Sequence, residues 1–332
     1  MSDNALLRAD HLTRVYTLGR IFAGQKIVAV NDASFVLPAD SPQVFTLAGE
    51  SGSGKTTIAK MILGFVEPSQ GSISYKGADI TRIRGRAQRM QFMREIQPVF
   101  QNPFETFNPL KKVENYLFET AVNFGMAPSR SAARRPVQAA LERVGLNLDA
   151  VLGKYPNEFS GGQLQRISVA RSLITNPSVL IADEPVSMVD ASLRMSIVNL
   201  FKELRAEHRV SVVYITHDLA TAYYVSDRIA IMLRGTIVEI GDVEKVLDHP
   251  EHPYTRILKE SVPEPDPALK WNQDIAMADG EQAEYRLAAC KFAGRCPHVM
   301  EVCRAVEPPL AEHDGRLVRC HLYSGGVTGA RA

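Results

Sequence analysis

The sequence predicts an α/β fold with a mostly parallel central sheet, and three observations carry that prediction. Val44–Ala48, Val179–Ala182 and Val210–Ile215 are short apolar runs of strand length, the kind buried on both faces of a sheet. Helical patterns alternate with them, over Lys55 to about Phe65 and over Ser192–Glu207. A glycine-rich turn, Gly49–Gly54, joins the first run directly to its helix.

Around this core the chain divides further. Leu12–Leu37 reads as antiparallel strands with Asn31-Asp32 as a turn, an N-terminal antiparallel β subdomain. Residues 110–175 are strongly helical, with a polar stretch over Pro128–Pro136, and predict an inserted helical subdomain. Thr236–Gly241 returns to strand, and two short helices follow to about Lys259. The expected boundaries are 1–260 for the main domain, 261–285 for a linker rich in Pro, Asp and Glu, and 286–332 for a small extension. With no internal repeat, a single module is expected.

Composition narrows the function classes. The 332 residues are 45% hydrophobic and 23% charged, with a formal net charge of +1. That balance suits a globular chain and lacks the basic excess of a nucleic-acid binder, so no nucleic-acid partner is expected. The first ten residues have no signal-peptide layout, and no apolar run approaches the ~18 residues that span a bilayer. A cytosolic chain that meets a membrane only through a partner is the expectation.

The chemistry begins at Gly49-Glu50-Ser51-Gly52-Ser53-Gly54-Lys55-Thr56, followed by Thr57, which fits G-x-x-x-x-G-K-[ST] between a predicted strand and a predicted helix. Glycines let backbone N–H groups converge on phosphate oxygens, and the helix N-terminus adds a favourable dipole. Lys55, as an exposed loop residue, is expected to reach the β- and γ-phosphates, and the Thr56 hydroxyl to ligate Mg²⁺. In Ser178–Glu184 an apolar strand ends in two acids. Asp183 is placed to hold the Mg²⁺ shell and Glu184 to polarise an attacking water.

Ser160-Gly161-Gly162-Gln163, within F-S-G-G-Q-L-Q-R-I-S-V-A-R-S-L, separates this chain from kinases and GTPases with the same loop. Here the sequence resembles the ABC ATPase family, whose signature is L-S-G-G-Q; Phe159 replaces the leading Leu. Ser160 is a good N-cap, and its helix would present N–H groups to an anion. The resemblance implies that this anion is the γ-phosphate held by an opposite chain. It also implies a glutamine loop at Gln101, whose side chain reaches Mg²⁺ and the attacking water. Asp190, in S-M-V-D-A-S, would lie in the loop that crosses the dimer interface, and His217, in Y-I-T-H-D, would be the switch histidine. Tyr16 is the candidate for stacking on adenine, with Phe22 competing.

All four cysteines, Cys290, Cys296, Cys303 and Cys320, lie in the extension with spacing C-x5-C-x6-C-x16-C. Clustered cysteines in a cytosolic chain point to metal, but this spacing does not separate zinc from an iron–sulfur cluster. The extension resembles that of oligopeptide/dipeptide importer ATPases, which implies a [4Fe-4S] cluster on these four residues. Zinc is the alternative, with His298, His313 and His321 as further ligands.

The resemblance covers essentially the whole chain. It implies ATP-driven import of small peptides at the cytoplasmic face of the inner membrane. The implied partners are two integral membrane permease subunits, a second ATPase chain (different or identical) and an extracytoplasmic substrate-binding protein. Relatives of this subfamily also move nickel, oligosaccharides and opine-like compounds, so the cargo stays open. The loop Pro103–Pro109 would meet the permease, although its aromatics fit a core equally well. A soluble ABC ATPase of DNA repair or translation is the rival from another class.

Overall fold

The computed structural model describes residues 4–18, 25–261, 284–285 and 287–324. Phe22 and the acid-rich stretch Val262–Gln282 lie outside the described residues.

The parallel strands form as their composition demands. β3 (Val44–Ala48), β6 (Ile96–Val99), β7 (Val179–Asp183) and β8 (Ser211–Thr216) run parallel in the order β3-β8-β7-β6. Every residue of β3 and β8 is buried, because helices cover both faces of the sheet. β9 (Arg228–Leu233) joins β3 in parallel on the other side, and β10 (Thr236–Asp242) turns back antiparallel to it.

Helices α1 (Lys55–Ile62), α7 (Ala191–His208) and α8 (Leu219–Val225) each follow the C-terminal end of a strand. The loops that carry functional side chains therefore gather at one edge of the sheet, as in other doubly wound α/β folds. α2 (Arg86–Glu95) carries Arg86, Arg89 and Arg94 at the surface before β6. A small helical layer, made of α4 (Val113–Asn123), α5 (Arg134–Glu142) and α6 (Gly161–Leu173), packs on one side of the sheet. The short helix α3 (Pro103–Thr106) leads into it.

A second sheet, in the order β2-β1-β4-β5, is antiparallel throughout: β1 (Ala5–Leu18), β2 (Gln25–Pro38), β4 (Gln70–Tyr75) and β5 (Ala78–Asp79). Its inner face, with Leu7, Leu12, Phe35 and Leu37, shares a core with Ile58, Met61 and Val213. Asn31-Asp32, expected as a turn, lies inside β2 instead. Asp32 adopts φ 51° opposite a bulge near His11, which absorbs an irregular register without reversing the chain.

The described C-terminal residues are built onto the main sheet. After α9 (Val243–Asp248), α10 (Pro253–Glu260) and α11 (Glu301–Ala305), the hairpin β11 (Leu310–His313) and β12 (Arg316–Arg319) pairs with β10. It extends the main sheet to eight strands.

Candidate functional site

Two glycines set the shape of the 49–57 loop. A Cβ on Gly49 would stand 2.1 Å from the Met232 carbonyl, and one on Gly54 2.4 Å from that of Ala29. Both have positive φ, so glycine is required twice over, by conformation and by space. The loop folds around its lysine. Lys55 donates to the carbonyls of Gly49 at 2.7 Å and Glu50 at 2.8 Å, and to the Ser53 hydroxyl at 3.3 Å. Only 5% of Lys55 is exposed, which corrects the expectation of a lysine standing in solvent. Burial draws its ammonium below the ordinary lysine value, while Glu184, Asp183 and Glu50 pull it back.

The neighbouring strand ends supply oxygen atoms. The Thr56 hydroxyl donates to Asp183 Oδ1 at 3.3 Å. Burial raises the Asp183 carboxyl above the usual carboxylate range; the Thr56 bond and Lys55 lower it, and Glu184 raises it further. A partly buried carboxylate beside a hydroxyl is a hard oxygen donor set of the kind Mg²⁺ prefers, and a bound cation would offset that burial.

Glu184 is the hub. Its Oε2 accepts from Gln101 Nε2 at 3.0 Å, and its Oε1 lies 3.1 Å from His217 Nδ1. Its backbone has φ 45°, and its N–H donates to the Ile215 carbonyl of β8 at 2.9 Å. A non-glycine residue in the left-handed region costs on the order of 1 kcal/mol or more, a kind of strain that gathers at functional positions. The structure thus brings Lys55, Thr56, Gln101, Asp183, Glu184 and His217 into one corner, from four parts of the chain.

The remaining candidates stand apart. Ser160 caps α6 through a reciprocal capping box: its hydroxyl accepts from Gln163 N at 3.3 Å, and Gln163 Oε1 accepts from Ser160 N at 3.0 Å. Gly161 lies under the Met188 carbonyl, and a Cβ on Gly162 would meet the Leu193 side chain at 3.0 Å. Asp190 is exposed at the N-cap of α7, with no side-chain cap of its own. Among the described residues, no hydrogen bond joins the Ser160–Gln163 turn or Asp190 to the 49–57 loop. Tyr16 sits half-buried on β1, with the Arg14 guanidinium 4.7 Å from its ring centre. The 103–109 loop divides: Phe107 is 1% exposed and packs edge-on against Tyr116, whereas Phe104 is 45% exposed.

The cysteines correct the expectation of a metal centre. Among the described residues no group of three or more His, Cys, Asp or Glu is arranged to hold a metal ion, neither an iron–sulfur cluster nor zinc. The four thiols do share one neighbourhood, since Cys320 feels the charge of Cys290, Cys296 and Cys303. Burial pushes Cys290 up to about 11 and Cys320 up to about 12, which keeps both protonated. Cys290 and Cys303 lie in an apolar cluster with Phe292, Ala293 and Tyr254, where a thiol packs as a small hydrophobe. Confinement of four cysteines to one segment follows as well from a shared core as from a shared ligand. His321 accordingly pairs with the Val306 carbonyl, and His313 lies against Tyr323.

Sequence reasoning missed what surrounds Glu50. Tyr254, Arg234 and Arg295 all reach it, from residues far along the chain. No local motif marks these contacts.

Comparison with known proteins agrees with this geometry. Residues 30–187 match the family model described as ABC transporter, and residues 238–303 match that of the oligopeptide/dipeptide transporter C-terminal region. The chain is 38% identical over 263 residues to an oligopeptide transport ATP-binding protein, OppF, of Streptococcus pyogenes, covering 79% of this chain and 85% of that one. It is 37% identical over 322 residues to the di/tripeptide transport ATP-binding protein DppF of Pseudomonas aeruginosa, covering 95% and 97%. Among solved structures, a dimeric post-hydrolysis state of the ATP-binding cassette MJ0796 with ADP and Pi aligns with TM-score 0.62 at 25% identity, over 71% of this chain and 98% of that one. Among the described residues no helix is long and apolar enough to cross a membrane. Motif order, site geometry and full-length similarity converge on one assignment: the chain belongs to the ABC transporter ATP-binding family.

Proposed function

We propose that this chain binds and hydrolyses ATP to drive an ABC importer of dipeptides or oligopeptides. The observation that carries the reading is the position of Glu184, held between Gln101 and His217 and next to the Asp183–Thr56 pair. Glu184 is the base that takes a proton from the attacking water. Gln101 keeps one carboxylate oxygen oriented, and His217, engaged through Nδ1, has Nε2 left to face the γ-phosphate. Thr56 and Asp183 would hold Mg²⁺, with Gln101 nearby; the ion's chemistry is to offset charge on the phosphate oxygens. Lys55 braces the loop carbonyls and, by releasing the Ser53 hydroxyl, the longest of its three bonds, turns one proton to the β- and γ-phosphates, while the N–H groups of residues 49–57 cradle them. The ring of Tyr16 stacks on adenine.

Hydrolysis needs a second chain. Among the described residues no hydrogen bond joins Ser160–Gln163 to this chain's own loop, which supports a sandwich in which each ATP lies between the loop of one chain and the signature turn of the other. Asp190 then lies at the dimer interface. Dimerisation of the cassette MJ0796 with ADP and Pi supports the same arrangement. Two permease subunits bind the face near exposed Phe104, and an extracytoplasmic binding protein delivers the cargo. The relatives' transport of oligopeptides and di- or tripeptides supports the peptide cargo.

The test is ATP hydrolysis by the reconstituted complex of this chain with its permease and binding protein. Peptide-loaded binding protein should stimulate turnover. Stimulation only by a sugar or a metal chelate would replace the peptide cargo, and failure to bind Mg·ATP would defeat the ATPase reading.

A further inference from the structure

The second residue of the phosphate-binding loop is an acid, and an acid is an awkward neighbour for a triphosphate. Two unit charges of like sign a few ångströms apart repel even in water, and more strongly where solvent is reduced. The structure surrounds that acid. Arg295 Nη1 lies 3.2 Å from Glu50 Oε1, and Arg234 Nη2 lies 3.6 Å from Oε2. Both guanidiniums are anchored by a second acid: Glu284 meets Arg234 Nε at 3.0 Å, and Arg295 Nε at 3.0 Å. Glu284 and Arg234 are each 5% exposed, so this square of alternating charge is largely out of solvent.

Three further bonds fix the same loop residue. The Glu50 N–H donates to the Tyr254 hydroxyl at 3.2 Å, and its carbonyl accepts from Lys55 at 2.8 Å and from Ser53 N at 3.1 Å. Two residues along, the Tyr285 hydroxyl donates to the Gly52 carbonyl. Glu284, Tyr285 and Arg295 all come from the C-terminal part of the chain, with Arg295 lying 245 residues from Glu50. Residues far along the chain from the phosphate-binding loop are thus in direct contact with it.

We propose that the C-terminal segment completes the phosphate site, with Arg295, oriented by Glu284, acting as a positioning residue that neutralises the Glu50 carboxylate and allows the loop to accept a polyanion. This rests on the nucleotide reading above and adds a dependence that no motif of the ATPase core contains. The geometry has a direct consequence for charge. With both arginines present the square is neutral; with Arg295 removed it carries one net negative charge beside Lys55. The loss falls on phosphate binding and grows with the charge of the ligand.

Equilibrium binding of Mg·ATP and of AMP to the full-length chain tests this. Arg295→Met should weaken Mg·ATP by about tenfold, the size expected for losing a charged hydrogen bond, and weaken AMP by much less. Adding Glu50→Gln to Arg295→Met should restore most of the affinity, because the uncompensated charge is gone. Glu50→Gln alone leaves Arg234 and Arg295 still paired with Glu284. It should bind Mg·ATP at least as tightly as the unmodified chain, which keeps the test open if Arg295→Met folds poorly. Equal affinity of Arg295→Met and the unmodified chain overturns the proposal, as does a double variant no better than Arg295→Met, or a weaker Glu50→Gln. Absence of Mg·ATP binding by the unmodified chain is a different result, and it removes the nucleotide reading itself.

Discussion

Two helices of this protein begin at glycine-rich turns, and they begin differently. α1 starts from Gly54 at φ 105° with no side-chain cap, so its first N–H groups are left to a ligand. α6 starts from Ser160 with a complete capping box, in which Ser160 and Gln163 satisfy each other's backbone. The first end is unfinished without an anion, whereas the second is already stable. The difference supports the proposal that the phosphate loop is the primary nucleotide holder and that the preformed signature turn meets a nucleotide brought by another chain. The difference in surroundings agrees: Lys55 and Asp183 are drawn into the sheet edge, whereas Ser160 and Gln163 are exposed.

The largest expected effect tests the corner that the α1 end serves. Glu184→Gln keeps the shape of the side chain but removes the base, so turnover should fall about 10²–10⁴-fold while Mg·ATP binding persists. Single-turnover hydrolysis beside a binding measurement checks it, and turnover within a few fold of normal would pass the role of base to His217. Next comes Lys55→Ala, which removes a buried ammonium from two loop carbonyls and from the phosphates. Affinity of the single chain for Mg·ATP should drop about a hundredfold, as expected for losing charged hydrogen bonds. The smallest effect belongs to Ser160→Ala. Losing the cap should lower unfolding stability by about 1 kcal/mol, measurable by denaturant melts, and should weaken single-chain nucleotide binding far less than Lys55→Ala does. If the two variants weaken that binding alike, both helix ends serve the same nucleotide and the comparison fails.

Much of this was legible in the residues. The strands β3, β7 and β8 were readable because a parallel sheet buried on both faces leaves an unbroken apolar run. The motif residues were readable because phosphate and cation chemistry demand particular atoms at particular spacings. Other features were not. Lys55 looked solvent-facing, because nothing local shows that three acceptors within the loop would fold around it. Asn31-Asp32 looked like a turn, because the residues that tolerate positive φ in turns also tolerate it at bulges. The cysteines looked like ligands, because clustering along a chain does not distinguish a metal site from a buried apolar corner.

The sequence by itself determined the family, the α/β alternation and the identity of the groups around Glu184, since each depends on local pattern or on chemistry that tolerates few substitutes. Tertiary structure alone decided that the hairpin 310–319 extends the main sheet, that Phe107 is core while Phe104 is surface, and that Glu284, Arg295 and Tyr285 close on the phosphate loop. Those outcomes rest on pairings between segments far apart in the chain. Ion pairs and sheet edges select partners by position in space, and no spacing along the chain encodes that position.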